Sequence, residues 1–221
     1  PRSRTEGHRA SSPLELFFDL VFVVAVAFAG SALHHSLSEH HIRYGVLSYI
    51  PVFFAIWLAW LNFTWFASAY DVDDVPYRIM ALIQMTGALV FAAGIPRAFD
   101  ERNFRICIAG YVIMRLALVG QWLRVAYSDP EHRPTALRYA AGIALTQVGW
   151  VLFGFVLDAF SWPIFIALAL LDVLVPVWAE RKGATTWNPH HIADRYGAFT
   201  IIVLGEAVLA TSLAIQLVVD A

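Results

Sequence analysis

Two acids, Glu15 and Asp19, stand four residues apart inside the apolar run PLELFFDLVFVVAVAFAG, from Pro13 to Gly30. On a helix that spacing puts both carboxylates on one face, about 6 Å from each other. His191 and Arg195 repeat the spacing near the C-terminus, and Glu206 follows eleven residues later. Eleven residues is close to three turns, so the three share a stripe, with Arg195 and Glu206 about 16 Å apart along the axis. Arg115 and Asp172 fall, like Glu206, near the middle of long apolar runs. At mid-membrane depth each charge costs about 2.5–3.5 kcal/mol on insertion scales, roughly 8–10 kcal/mol for the three, unless it is paired or hydrated. Arg115, Asp172 and Glu206 are therefore expected to face one another inside a bundle. One arginine against two acids leaves a surplus negative charge, to be balanced by a proton, a small cation or water. Burial disfavours the charged form of an acid, so proton uptake is the chemistry such a set can perform.

Glu15 and Asp19 occupy the same third of the first run as His190, His191, Asp194 and Arg195 do of the last. Arg195 is thus the expected partner for the two acids, and Asp19, the deeper one, needs it more. Pro176 lies four residues after Asp172 and cannot donate to the carbonyl of residue 172, which leaves that oxygen beside a carboxylate. His190 and Asp194 stand at i, i+4 within HHIAD, a spacing able to hold a divalent metal. Two or three ligands on one turn suit a headgroup-level helix cap better, so neither a metal nor a cofactor is expected. Asn62, Gln84, Gln121 and Gln147 are expected to hydrogen-bond between helices, and Trp57, Trp60 and Trp150 to pack in the interior. The same alternatives hold throughout: the interior charges fix helix register, form a proton or ion path, or line a polar ligand site.

The elements that must position these groups follow from composition. The chain has 221 residues, 59% of them hydrophobic and 14% charged, where an ordinary soluble domain has about 25% charged. Seven runs are each long enough to cross a hydrocarbon core of about 30 Å, which takes roughly 20 helical residues. They cover about 14–37, 46–69, 77–97, 104–127, 137–157, 161–179 and 192–218. The connectors are short and polar, and Pro76, Pro163 and Pro189 stand near helix starts, where a missing N–H costs little. Lipid admits only helices or closed barrels, so the expected fold is all-α: one polytopic transmembrane helical bundle. Ala27 and Ala29 offer a signal-peptidase-like site, but two acids in the apolar region and its continuation to Leu37 favour a retained helix.

Ten of the fifteen Lys and Arg residues lie on the side of the N-terminus, four on the other, and Arg115 is intramembrane. The N-terminus is therefore expected to be cytoplasmic. Net charge is −2 with no basic block, which argues against nucleic acid as a partner. A single cysteine, Cys107, excludes a disulfide framework within the chain and a cysteine-ligated cluster. No nucleophile has an adjacent base by spacing, and the signatures of phosphate loops, serine hydrolases and zinc proteases are absent. Small residues such as Ala25 and Ala29 could support close contacts within or between chains, so an oligomer stays open.

Two segments carry a family resemblance. Ser12 to Ala27, through Glu15, Leu16, Phe17, Asp19, Leu20, Val21, Phe22 and Val23, resembles the opening E-L-F-x-D-L-V-F-V pattern of the low temperature requirement A (LtrA) family. His190 to Ala210, through His191, Asp194, Arg195, Gly197, Phe199, Thr200, Gly205 and Glu206, resembles its H-x-x-[DE]-R-x-G-x-F-T-I-I-x-L-G-E pattern. The resemblance implies a polytopic membrane protein of bacteria, in the cytoplasmic (inner) membrane, linked to growth in the cold. It also implies further spans beyond the position matching Ala221, so the chain is expected to be a piece of a larger bundle. The function expected from these readings is a proton- or cation-linked transporter or channel with a polar interior built from Glu15, Asp19, Arg115, Asp172, His191, Asp194, Arg195 and Glu206. Glu206 or Asp172 would take up the proton or cation, with Arg115 and Arg195 as countercharges. The alternatives are a membrane sensor or scaffold whose buried charges only fix packing, and a membrane enzyme acting on lipid.

Overall fold

A computed structural model describes residues 11–155 and 160–219, with the side chains of 210, 213, 214 and 217–219 left out. Among the described residues the chain is helical and has no strand. Helix α1 covers Pro13–Ser38, α2 Ile42–Tyr70, α3 Val75–Asp100, α4 Arg105–Ser128, α5 Arg133–Phe155, α6 Trp162–Ala179 and α7 Pro189–Val219, with one 3-10 turn at Glu180–Lys182. Helices α1 to α6 are each long and apolar enough to cross a membrane. The seventh expected run is a helix, α7, 31 residues long, which is not one of the six that qualify as spans among the described residues.

Local chemistry sets the helix starts. Ser12 and Glu15 form a reciprocal capping box at the start of α1, with Pro13 in the first turn. Asp74 caps α3 by accepting the Tyr77 N–H at 3.0 Å. Asn188 accepts the N–H groups of His190 and His191 at the start of α7, and its own N–H donates to Ser68 Oγ at 2.9 Å. The first turn of α7 is thereby pinned to the end of α2. Helix α6 runs unbroken through Pro176.

The closest helix pair is α3 with α4, and glycines set how near they come. A Cβ on Gly110 would stand 2.5 Å from the Gly87 carbonyl oxygen, and one on Gly94 would stand 2.7 Å from the Cys107 backbone nitrogen. Helices α4, α5 and α6 continue the layer in one direction, α1 and α2 in the other, and α7 rests on α1 and α2. Aromatic rings fill the centre: Phe18 stacks on Phe63 at 3.8 Å and Trp122 on Tyr139 at 4.0 Å. Of the four interior amides, Gln84 and Gln121 bond to each other at 2.8 Å between α3 and α4. Asn62 instead turns back to the Leu58 carbonyl of its own helix.

Polarity is inverted relative to a soluble protein. Glu15, Asp19, Arg115, Asp172, His191 and Arg195 are buried, while Leu20, Leu116, Leu145, Leu152 and Ile201 are more than half exposed. Water as the surrounding solvent would drive the opposite sorting.

A buried charge cluster between α1, α2 and α7

Glu15, Asp19, His191 and Arg195 meet in one cluster, all four fully buried. Arg195 Nη2 donates to Asp19 Oδ1 at 2.6 Å and to Thr64 Oγ1 at 3.4 Å. Its Nη1 lies 3.4 Å from Glu15 Oε1. His191 Nε2 stands 3.3 Å and 3.4 Å from the two oxygens of Glu15. Trp60 Nε1 donates to Asp19 Oδ1 at 2.7 Å, and its ring stacks on Phe199 at 4.4 Å, which fixes its plane. Glu15 Oε2 also accepts the Ser12 N–H at 2.7 Å. One carboxylate therefore closes the helix cap and opens the cluster.

Among these four side chains two carboxylates face one guanidinium, so the four sum to −1 with a neutral imidazole and to zero with one added proton. Among the described residues Asp19 Oδ2, His191 Nδ1 and Arg195 Nε and Nη1 have no hydrogen-bond partner. Asp19 Oδ2 and His191 Nδ1 are thus polar atoms of the cluster that no described side chain fills.

A second cluster lies between α4, α5 and α6. Arg115 Nη2 stands 2.9 Å from Asp172 Oδ1 and donates to the Tyr111 hydroxyl at 2.9 Å. Thr146 Oγ1 donates to Asp172 Oδ1 and Trp150 Nε1 to Asp172 Oδ2, both at 2.7 Å. Here one positive charge meets one negative, and both carboxylate oxygens are filled.

The expected trio of Arg115, Asp172 and Glu206 does not form. Glu206 is half-buried on α7, which rests on α1 and α2, away from α4 and α6. Asp172 is already saturated by donors from its own neighbours, so nothing draws Glu206 to it. Asp194 is exposed and lies outside the cluster. His190 is exposed while His191 is buried, so the two histidines face different surroundings. Trp60, Thr64, Thr146 and Trp150 were not expected at these sites. An indole at mid-span is a signal that could have found two of them, since its N–H has no partner in lipid and must find one in the protein.

Membrane-spanning helices with polar groups turned inward and apolar groups outward define a polytopic integral membrane protein. The family described as bacterial low temperature requirement A protein matches residues 10–219, and the chain belongs to that family. It is 29% identical to an uncharacterised protein of Rhizobium meliloti (strain 1021), over 94% of this chain and 52% of that protein. The chain thus spans about half the length of that curated relative. No solved structure matches.

Proposed function

We propose that the protein is a proton-linked transporter or channel of the bacterial cytoplasmic membrane, and that the Glu15–Asp19–His191–Arg195 cluster is its proton site. The observation that carries this reading is the unbalanced charge. A buried surplus of −1 is costly, and one proton removes it. His191, bonded to Glu15 and open at Nδ1, is the group suited to carry that proton. Losing it removes a positive charge from beside Glu15 on α1, which weakens the hold of α7 on α1. Protonation and the seating of α7 are then linked, as two states of one equilibrium. The Lys and Arg distribution supports a cytoplasmic N-terminus, which puts the cluster at the cytoplasmic end of the bundle.

The Arg115–Asp172 pair has a different role. It is neutral and its carboxylate is saturated, which supports a packing function of the kind a scaffold needs. Purified protein in liposomes with an internal pH dye tests both assignments. Wild type is expected to carry protons under an imposed pH or cation gradient, and His191→Gln to abolish that flux at matched folded amounts. Asp172→Asn is expected to lower stability while the folded fraction keeps its flux. Absence of flux in wild type would refute the transport reading.

A further inference from the structure

Arg43, at the start of α2, and Arg102, just past the end of α3, flank a cavity of about 490 Å³ walled also by Tyr44, Ser48 and Trp162. This cavity lies at the opposite end of α2 from the cluster with His191 and Arg195. Its volume falls in the range of small-ligand sites. Pro51, Phe104 and Phe160 are shared with a narrower apolar pocket of about 60 Å³. That pocket leads on to Tyr111 and Trp150, the residues that touch Arg115 and Asp172.

Neither arginine is paired with a carboxylate among the described residues. Arg102 has a left-handed backbone, φ 53°, where the chain leaves α3 and Asn103 N–H closes on the Arg97 carbonyl at 3.2 Å. That helix-end position favours glycine, which has no Cβ to strain it. The guanidinium instead lies 5.0 Å over the Tyr44 ring, and the Tyr44 hydroxyl donates to the Phe99 carbonyl, so the ring beneath is fixed. Two guanidinium groups at the mouth of an aromatic pocket match an oxyanion that carries an apolar tail.

We infer that this cavity binds an amphipathic anion, its phosphate or carboxylate between Arg43 and Arg102 and its tail in the aromatic pocket. The inference is independent of the proton reading. The full chain in nanodiscs of zwitterionic lipid, titrated with octyl phosphate, tests it, with binding read by tryptophan fluorescence and by melting temperature. Inorganic phosphate serves as the headgroup alone. Saturable binding of octyl phosphate is expected, with inorganic phosphate much weaker. Arg43→Gln and Arg102→Gly should each weaken it at least about ten-fold, as loss of a charge-assisted hydrogen bond does. Arg102→Gly suits the local backbone, so its melting temperature without ligand should not fall, which separates lost binding from lost folding. Competition by phosphatidylglycerol placed in the nanodisc would identify a bilayer lipid as the source. Its failure to compete would identify a water-soluble amphiphile, and both results uphold the site. Unsaturable partitioning, equal binding of inorganic phosphate, or binding unchanged in both variants would overturn it.

Discussion

Asp19 and Asp172 are held by the same set of residue types. Each meets an arginine and an indole N–H, and a threonine four residues from that indole joins the set: Arg195, Trp60 and Thr64 in one case, Arg115, Trp150 and Thr146 in the other. Glu15 and His191 are what the first cluster has in addition, and they are why the proton is proposed to bind there. Breaking the Arg115–Asp172 pair from one side should be costly. Arg115→Met or Asp172→Leu alone is expected to lose about 3–5 kcal/mol, and the double replacement to recover most of it, because the penalty is an uncompensated buried charge. Thermal unfolding of the two single variants and the double variant checks this. Trp150→Phe keeps the ring and removes one donor to a charged group, so a loss of about 1.5–3 kcal/mol is expected in the same assay. The meeting of Glu15 and Asp19 with Arg195 was legible in the sequence, because charges at one depth in lipid have few alternatives to each other. The indoles and threonines were not, since either residue type can pack or bond to its own helix with equal ease. The placement of Glu206 was not legible, because depth in the membrane does not say which helices are neighbours.

Among the elements, α3 and α4 depend on the absence of side chains. Gly110→Val would drive a side chain into the backbone of α3 around Gly87 and Phe91, which has no rotamer with which to yield. A loss of about 1–3 kcal/mol or more is expected, read as a lower melting temperature. Asp74 joins two elements, since it caps α3 and takes Arg124 Nη1 of α4 at 2.9 Å. Asp74→Ala should cost about 1 kcal/mol through the cap and loosen that connector in hydrogen exchange. Partial burial by itself would raise the Asp74 carboxyl, but the Tyr77 N–H and Arg124 outweigh it and hold the group below its usual range. A depressed folded value means the contribution is present above the ordinary carboxylate range and disappears as pH falls through the lowered one. Connector protection should therefore persist to lower pH in wild type than an unpaired aspartate would allow. The all-helical fold was legible here, because seven long apolar runs, several with a proline at the start, leave little freedom; the expected end of the fifth run, at 157, lies outside the described residues. The order of neighbours was not: α1 beside α3, and the glycine contact of α3 with α4, arise from shape complementarity between segments that carry no periodic mark.

For the molecule as a whole, the inverted polarity says what surrounds it and the two clusters say how it is divided. Helices α4, α5 and α6 enclose the Arg115–Asp172 pair, its carboxylate saturated, and α1, α2 and α7 enclose the proposed proton site. Among the described residues helix α7 packs on α1 and α2, and Ile201, Leu204 and Val208 are exposed on its outer face. Arg195 is the countercharge that seats it. Arg195→Gln should therefore destabilise the protein more than His191→Gln, by about 3–5 kcal/mol, since Asp19 and Glu15 would both lose a permanent positive partner. Proteolysis of α7 in detergent micelles would show it. The central claim is that the protein changes its protonation at the Glu15–Asp19–His191–Arg195 cluster and not at Arg115–Asp172. Infrared difference spectra of the protein in lipid, taken between two pH values at which it stays folded, measure this directly. Carboxyl or imidazole bands that vanish in Glu15→Gln and in His191→Gln, yet persist in Asp172→Asn, are the predicted result. Bands that persist in both cluster variants and vanish in Asp172→Asn would contradict the account.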